Sequence, residues 1–191
     1  ARWHYAPTER AWHTVNSELA RQNRLDTHTS VCVGNTSIDA LRASGVTPQA
    51  EALPSTLLVT LHRRELRRRP DALAVLQAVC DAVSGWGVRA IWPVHPGITE
   101  LASQLRVPPN LALRPPLTHM ATLATLAGAC GVLTDSGGLV EEAAALGVPT
   151  AILRGANDRP EAVEAGIARL FAPTPDGARL AIETLCMRRI P

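Results

Sequence analysis

Apolar residues fall in short continuous runs along most of this chain, and segments with helical spacing separate the runs. Because most of the runs show no polar alternation, they are typical of strands that are covered on both faces. We predict strands at residues 29–33, 56–62, 89–95, 111–114, 131–134, 150–154 and 169–172. We predict helices at residues 7–24, 37–43, 70–84, 98–105, 118–129, 139–146, 160–165 and 176–188. This alternation indicates an α/β fold, a Rossmann-like three-layer doubly wound parallel sheet.

A loose segment rich in Gly, Pro and Gln interrupts the alternation. We predict that residues 46–55 form a linker between residues 1–45 and a main domain at residues 56–175, with a C-terminal helix at residues 176–191. Aromatic residues are scarce in the chain, yet Trp3, Tyr5 and Trp12 crowd into its start. We expect these rings either to dock on the body of the domain or to pack on something that this polypeptide does not contain.

Composition narrows the class of protein only slightly. The 191 residues are 46% hydrophobic and 19% charged with a net charge of +2, which is ordinary for a soluble globular protein and does not indicate a nucleic-acid partner. The apolar runs are shorter than the roughly 20 residues that span a bilayer. With no signal-peptide pattern either, we expect a cytoplasmic protein without membrane association. The cysteines show no C-x-x-C spacing, and we expect buried reduced thiols at Cys32, Cys80, Cys130 and Cys186.

The candidate chemistry centres on residues 131–147, GVLTDSGGLVEEAAALG, which read as strand, turn and helix. A helix start leaves backbone N–H groups without partners, and Gly137 and Gly138 carry no side chains that would keep a ligand away from them. Such a junction is suited to phosphate. The alternative is an ordinary N-cap at Ser136 in a tight turn.

Other polar residues follow the predicted strands, where ligands sit in open α/β sheets. They include His62, Arg63, His95 and Arg154. Each has an ordinary structural explanation alone, but together they suit an anionic ligand, because arginine forks and backbone N–H groups both match phosphate oxygens. Glu142, one turn into the helix, could accept hydrogen bonds from ribose hydroxyls.

These residues resemble a known family, the non-hydrolysing UDP-N-acetylglucosamine 2-epimerases. The matching segments are HYAPTE at 4–9, VGNTSIDAL at 33–41, LLVTLHRRE at 57–65, PVHP at 93–96, LTDSGGLVEEAAALGVP at 133–149 and DRPEAVEAG at 158–166. The resemblance implies a two-domain enzyme of glycosyltransferase-B architecture, of which this chain is similar to the second half. Residues 1–45 then correspond to a remnant of the N-terminal Rossmann-like domain, and residues 56–175 to the UDP-binding domain.

The same resemblance implies roles for individual residues. His62 resembles the active-site histidine near the diphosphate, with Arg63 beside it. Ser136, Gly137 and Gly138 match the phosphate-binding turn, and Glu142 matches the ribose-binding glutamate. Three further residues match the loop that faces the reacting sugar: Arg154, Arg159 and Glu161.

The implied reaction converts UDP-N-acetylglucosamine (UDP-GlcNAc) to UDP-N-acetylmannosamine (UDP-ManNAc). UDP is eliminated across C1 and C2 and re-added with the opposite C2 configuration. It requires no metal or other cofactor. The implied partners are the UDP-sugar, the missing N-terminal domain and a second copy of the complete protein in a homodimer. With that domain absent, we expect the isolated chain to be inactive.

The sequence departs from the family pattern at several positions. Leu61 replaces the usual glycine before the histidine, and Leu66 replaces an asparagine; His119 and Thr122 stand where Tyr and Phe are common. Two other functions therefore stay open. One is a catalytically silent UDP-sugar-binding module, and the other is a glycosyltransferase of the same architecture.

Overall fold

The computed structural model describes residues 2–48, 56–157 and 160–187. It divides into two compact units, Ala1–Ala43 and Ser44–Pro191. Most of the predicted linker, residues 49–55, lies outside the described residues, as do residues 188–191 of the predicted C-terminal helix.

The first unit is a small parallel β-α-β arrangement followed by a helix. Its elements are β1 (Trp3–Ala6), α1 (Glu9–Arg21), β2 (Thr29–Cys32) and α2 (Thr36–Ser44). The two strands pair in parallel with Trp3 opposite Thr29. Helix α1 begins after Thr8, whose hydroxyl accepts a hydrogen bond from the Ala11 N–H at 3.2 Å and so satisfies one of the helix's free donors.

The aromatic rings of this unit differ in their burial. Trp3 and Tyr5 are 60% and 67% exposed on β1. Trp12 is half-buried on α1, and its Nε1–H donates to the carbonyl oxygen of Ser30 at 3.2 Å. The expectation that all four cysteines are buried holds in full only for Cys80, since Cys130 and Cys186 are partly buried. It is wrong for Cys32, which is exposed because the two-stranded sheet has little cover on β2.

The second unit contains a six-stranded sheet in which all neighbouring strands are parallel. The strands are β3 (Thr56–Thr60), β4 (Arg89–Pro93), β5 (Leu111–Arg114), β6 (Gly131–Thr134), β7 (Thr150–Leu153) and β8 (Ala168–Phe171). The helices are α3 (Arg64–Arg67), α4 (Ala72–Trp86), α5 (Thr99–Ala102), α6 (His119–Ala127), α7 (Gly137–Ala145), α8 (Glu161–Glu164) and α9 (Pro175–Cys186). The strand order β5-β4-β3-β6-β7-β8 is that of a doubly wound Rossmann-like fold, which confirms the predicted fold class.

The buried side chains show that helices cover both faces of the sheet. Alternate residues of a strand point to opposite faces. On β7, Ala151 and Leu153 belong to the main core with α4 and α9, whereas Ile152 packs with Val140 of α7 and Ala162 of α8. The sheet is therefore the middle of three layers, as the continuous apolar runs predict.

Several element boundaries differ from those predicted, and two of the differences have a clear local cause. Strand β3 ends at Thr60, because the N–H of His62 donates to the side chain of Asp135 and not to a neighbouring strand. The predicted helix at residues 98–105 is only a 3-10 turn, Pro96–Ile98, followed by α5. It stops early because the side chains of Ser103 and Gln104 both donate to the carbonyl oxygen of Glu100, at 2.8 and 3.1 Å, in competition with helical bonding.

Candidate functional site

The centre of the sheet places two strand ends side by side where the chain changes direction. Strands β3 and β6 are neighbours, but the chain continues from β3 towards β5 at one edge and from β6 towards β8 at the other. Open α/β sheets have a crevice at such a point, outside the carboxyl ends of the strands. His62 follows β3 there, and Ser136 follows β6.

The start of α7 has open space above it. Ser136 is the N-cap residue, yet its side chain makes no capping hydrogen bond, and its backbone N–H donates to the hydroxyl of Thr134 at 3.0 Å. A Cβ built on Gly138 would meet nothing within 4 Å. The first turn of this nine-residue helix can therefore be approached by a ligand.

Asp135 holds the two halves of the crevice together. Its side chain is 1% exposed, and one carboxylate oxygen accepts hydrogen bonds from the N–H groups of His62 and Arg63 at 2.9 and 2.8 Å. The Nε–H of Arg63 donates to the Asp135 carbonyl oxygen at 3.0 Å. Burial raises the pKa of Asp135, while the N–H donors and the charge of His62 oppose that rise. The sequence placed Asp135 in the turn after the strand but indicated no role for it in the site, although an acidic residue directly after a buried strand was the available signal.

A pair of histidines lies beside this anchor. The rings of His62 and His95 are stacked, with centroids 5.3 Å apart, and His62 Nδ1 is 3.4 Å from a carboxylate oxygen of Asp135. His95 Nδ1 accepts a hydrogen bond from the Gly97 N–H at 2.9 Å. In neutral His95 the proton is therefore on Nε2, where it can be donated to a ligand.

Glu142 is paired with a residue that the sequence did not connect to it. The side chain of this glutamate is 9% exposed, and its Oε1 lies 2.7 Å from His119 Nε2 at the start of α6. The contact joins α6 to α7 across the crevice. Sequence reasoning named both residues but could not pair them, because they are 23 positions apart.

A cavity of about 410 Å³ unites most of the predicted phosphate and ribose contacts. His62, Ser136, Gly138 and Glu142 all line it; the other lining residues are Thr60, Pro93, His95, Pro116, Leu117, His119, Thr122 and Leu139. We call it the central cavity. Gly137 is buried at the first residue of α7 and is not among these lining residues.

A second cavity, of about 360 Å³, contains two of the predicted arginines. Arg63 and Arg154 line it; the other lining residues are Glu65, Leu66, Arg69, Asp135, Leu153, Gly155, Ala156 and Pro173. We call it the arginine cavity. It adjoins the central cavity, because neighbouring residues line the two cavities. His62 and Ser136 line the central cavity, whereas Arg63 and Asp135, which are next to them in the chain, line the arginine cavity.

Glu161, another predicted site residue, is not among the described residues that line either cavity. Glu161 is exposed at the first residue of α8. Arg159 lies outside the described residues. In the ranges that the structure describes, no group of three or more His, Cys, Asp or Glu side chains could hold a metal ion. The helices in those ranges are too short or too polar to cross a membrane.

Known proteins match this chain over nearly its whole length. A family model described as UDP-N-acetylglucosamine 2-epimerase matches residues 1–189. The chain belongs to this epimerase family. A UDP-N-acetylglucosamine 2-epimerase from Salmonella typhimurium is 33% identical over 204 aligned positions, which cover 97% of this chain and 52% of that protein.

Solved structures of relatives show the same fold. An S. aureus MnaA–UDP co-structure superposes with a TM-score of 0.80 at 27% identity, covering 97% of this chain and 51% of that one. A Methanocaldococcus jannaschii UDP-GlcNAc 2-epimerase in complex with UDP-GlcNAc and UDP gives a TM-score of 0.79 at 26% identity, over 97% and 54% of the two chains. The epimerase-family chain described here thus spans about half the length of the relatives that it matches.

Proposed function

We propose that this chain is the UDP-binding half of a UDP-GlcNAc 2-epimerase. The observation that carries the proposal is the central cavity, where the open start of α7 and the carboxylate of Glu142 line one wall beside His62. Residues 138 and 142 are four apart and lie on one face of the helix. That spacing suits a diphosphate at the helix start and a ribose one turn later. Solved relatives of the chain hold UDP or UDP-GlcNAc.

The proposed chemistry begins with the departure of UDP. A base removes the C2 proton, the electrons of the C2–H bond form a C1=C2 double bond, and the C1–O bond breaks with its electron pair leaving on the diphosphate. The backbone N–H groups at the start of α7 stabilise that developing charge, and His62 donates a hydrogen bond to the same group. Return of UDP to C1 and of a proton to the other face of C2 inverts the centre. Asp135 serves this step by fixing the backbone at His62 and Arg63.

The arginine cavity fits the sugar side of the same ligand. The segments His62–Arg63 and Asp135–Ser136 separate it from the central cavity. A UDP-sugar whose diphosphate lies at these segments could therefore reach both cavities. We assign Arg154 to this side and, by family resemblance, Arg159 and Glu161 to the loop that faces the sugar. Arg154 supplies positive charge where the anionic leaving group and the sugar meet.

The groups that move the C2 proton belong, in this proposal, to a first domain that precedes the chain. Inversion needs one group to take the proton and another to return it from the opposite face. In this proposal the titratable residues of the central cavity serve other groups, His62 the diphosphate and Glu142 the ribose. The exposed rings of Trp3 and Tyr5 on β1 fit a surface that this first domain covers. We expect the complete protein to be a cytoplasmic homodimer.

Exchange of the C2 proton tests the proposal. In heavy water, NMR should show no deuterium at C2 of UDP-GlcNAc with the 191-residue chain. A polypeptide that also carries a first half of matching length should incorporate deuterium and form UDP-ManNAc. Exchange by the chain alone would show that it carries its own acid and base. Binding of UDP without exchange by the longer polypeptide would favour the silent binding module, and transfer of the sugar to an acceptor would favour the glycosyltransferase.

A further inference from the structure

We propose that His119 is a positioning residue that fixes the carboxylate of Glu142, so that the central cavity selects nucleotides with free ribose hydroxyl groups. The inference rests on the proposed function and adds a specificity-determining residue to it. Its basis is the 2.7 Å contact between His119 Nε2 and Glu142 Oε1. His119 stands at a position where the family commonly has Tyr.

The backbone around His119 is itself held in place. His119 is the first residue of α6, and the N-cap residue Thr118 accepts a hydrogen bond from the Ala121 N–H through its hydroxyl at 3.2 Å. The carbonyl oxygen of Thr118 also accepts the hydroxyl of Thr122 at 3.0 Å. The imidazole therefore projects from a capped helix end, a firmer support than a loop.

Glu142 needs such a partner because its carboxylate belongs to a buried residue. A buried charge is costly unless it is hydrogen-bonded. His119, which is 56% exposed, supplies the partner at Oε1 from the solvent side of the cavity. Within the described residues, Oε2 has no hydrogen-bond partner, and a carboxylate oxygen can accept more than one donor. One oxygen is thus held by the protein while the other remains for a ligand.

This division favours a ligand that presents hydroxyl donors. Glu142 lies one turn after Gly138 on the same face of α7, so a ribose attached to a phosphate at the helix start would reach Oε2. A carboxylate already held in one rotamer loses less conformational freedom when the ligand binds. His119 therefore acts through Glu142 and should matter only for nucleotides whose ribose can donate hydrogen bonds.

Calorimetric titration with UDP and with 2′,3′-dideoxy-UDP tests this linkage in wild type and three variants. His119→Ala should weaken UDP binding about three- to tenfold, because binding must then order the Glu142 side chain. It should change 2′,3′-dideoxy-UDP binding less than about twofold, since that ligand makes no hydroxyl contact. His119→Gln should restore UDP binding, because its amide NH₂ can donate in place of Nε2–H. Met120→Ala is the matched control, since Met120 is an exposed neighbour on the same helix, outside the cavity wall.

The possible results separate this inference from the proposed function. Equal weakening of both nucleotides by His119→Ala, or no weakening of either, would overturn the positioning role. Equal affinity of the wild type for the two nucleotides would also overturn the positioning role, but it would leave the proposed binding of UDP intact. Wild type that binds neither nucleotide would overturn the proposed function and this inference with it. Circular dichroism of each variant verifies that the chain is folded before titration.

Discussion

Gly138→Ala should separate the stability of the protein from its ability to bind UDP. The Cβ position at Gly138 meets nothing within 4 Å, and the residue lies inside α7 with no positive φ angle. An added methyl group therefore fits the free protein without a clash. Alanine is the better helix former by about 0.5–1 kcal/mol, so the free energy of unfolding should stay unchanged or rise by up to that amount.

The same methyl group would occupy the space where we place a phosphate oxygen. Backbone N–H groups at a helix start bind phosphate only if its oxygens can come within about 3 Å of them. We expect Gly138→Ala to weaken UDP binding at least tenfold, or about 1.4 kcal/mol. Thermal unfolding measures the first effect and calorimetric titration with UDP the second.

Gly85→Ala is the matched control for this experiment. Gly85 lies within α4, has no positive φ angle and also has nothing within 4 Å of its Cβ position, but it is far from the carboxyl ends of the strands. It should show a similar or larger gain in stability with UDP binding unchanged. If Gly138→Ala binds UDP as tightly as wild type does, the phosphate does not lie on the start of α7.

Three further predictions concern the anchor, the thiols and β1. Asp135→Ala should lower the free energy of unfolding by about 1–3 kcal/mol in urea titrations, because two backbone donors lose their acceptor. Asp71→Ala, which removes a surface ion pair with Arg69, should lower it much less, and equal losses would refute the anchoring role. Iodoacetamide at pH 8 should label exposed Cys32 but leave Cys80 unlabelled until the chain unfolds, because burial raises the pKa of the Cys80 thiol to about 11. Rapid labelling of both cysteines in the folded chain would contradict the burial of Cys80. Light scattering should show self-association of the chain through the exposed rings of β1, and Tyr5→Ser should reduce it. A monomeric wild type would show that these rings do not drive self-association.

The hydrophobic pattern predicted the fold because each strand of the main sheet is a buried run between helical segments. The strands at residues 111–114 and 131–134 coincide with β5 and β6. The prediction placed the end of β3 too late because Leu61 is buried like a strand residue, although the next N–H, that of His62, donates to the side chain of Asp135. A one-dimensional pattern records burial but not the partner of a hydrogen bond.

The candidate site was predictable in position but not in its pairings. Residues after successive parallel strands must meet at one edge of the sheet, so His62 and Ser136 could be placed together from the sequence. The contact between His119 and Glu142 depends on how α6 and α7 pack, and no local spacing encodes it. The division between the central cavity and the arginine cavity likewise follows from Asp135 binding the backbone of the neighbouring loop.

A comparison of the affinities of UDP and uridine for the chain tests the account most directly. If the start of α7 binds the diphosphate and Glu142 the ribose, calorimetric titration of the chain should show saturable UDP binding, with uridine at least tenfold, or about 1.4 kcal/mol, weaker. Glu142→Ala should then cost a further 1–3 kcal/mol or so of UDP binding, the usual range for a lost hydrogen bond to a charged group. Uridine that binds as tightly as UDP would contradict the central claim, because the start of α7 would then contribute nothing to recognition of the nucleotide.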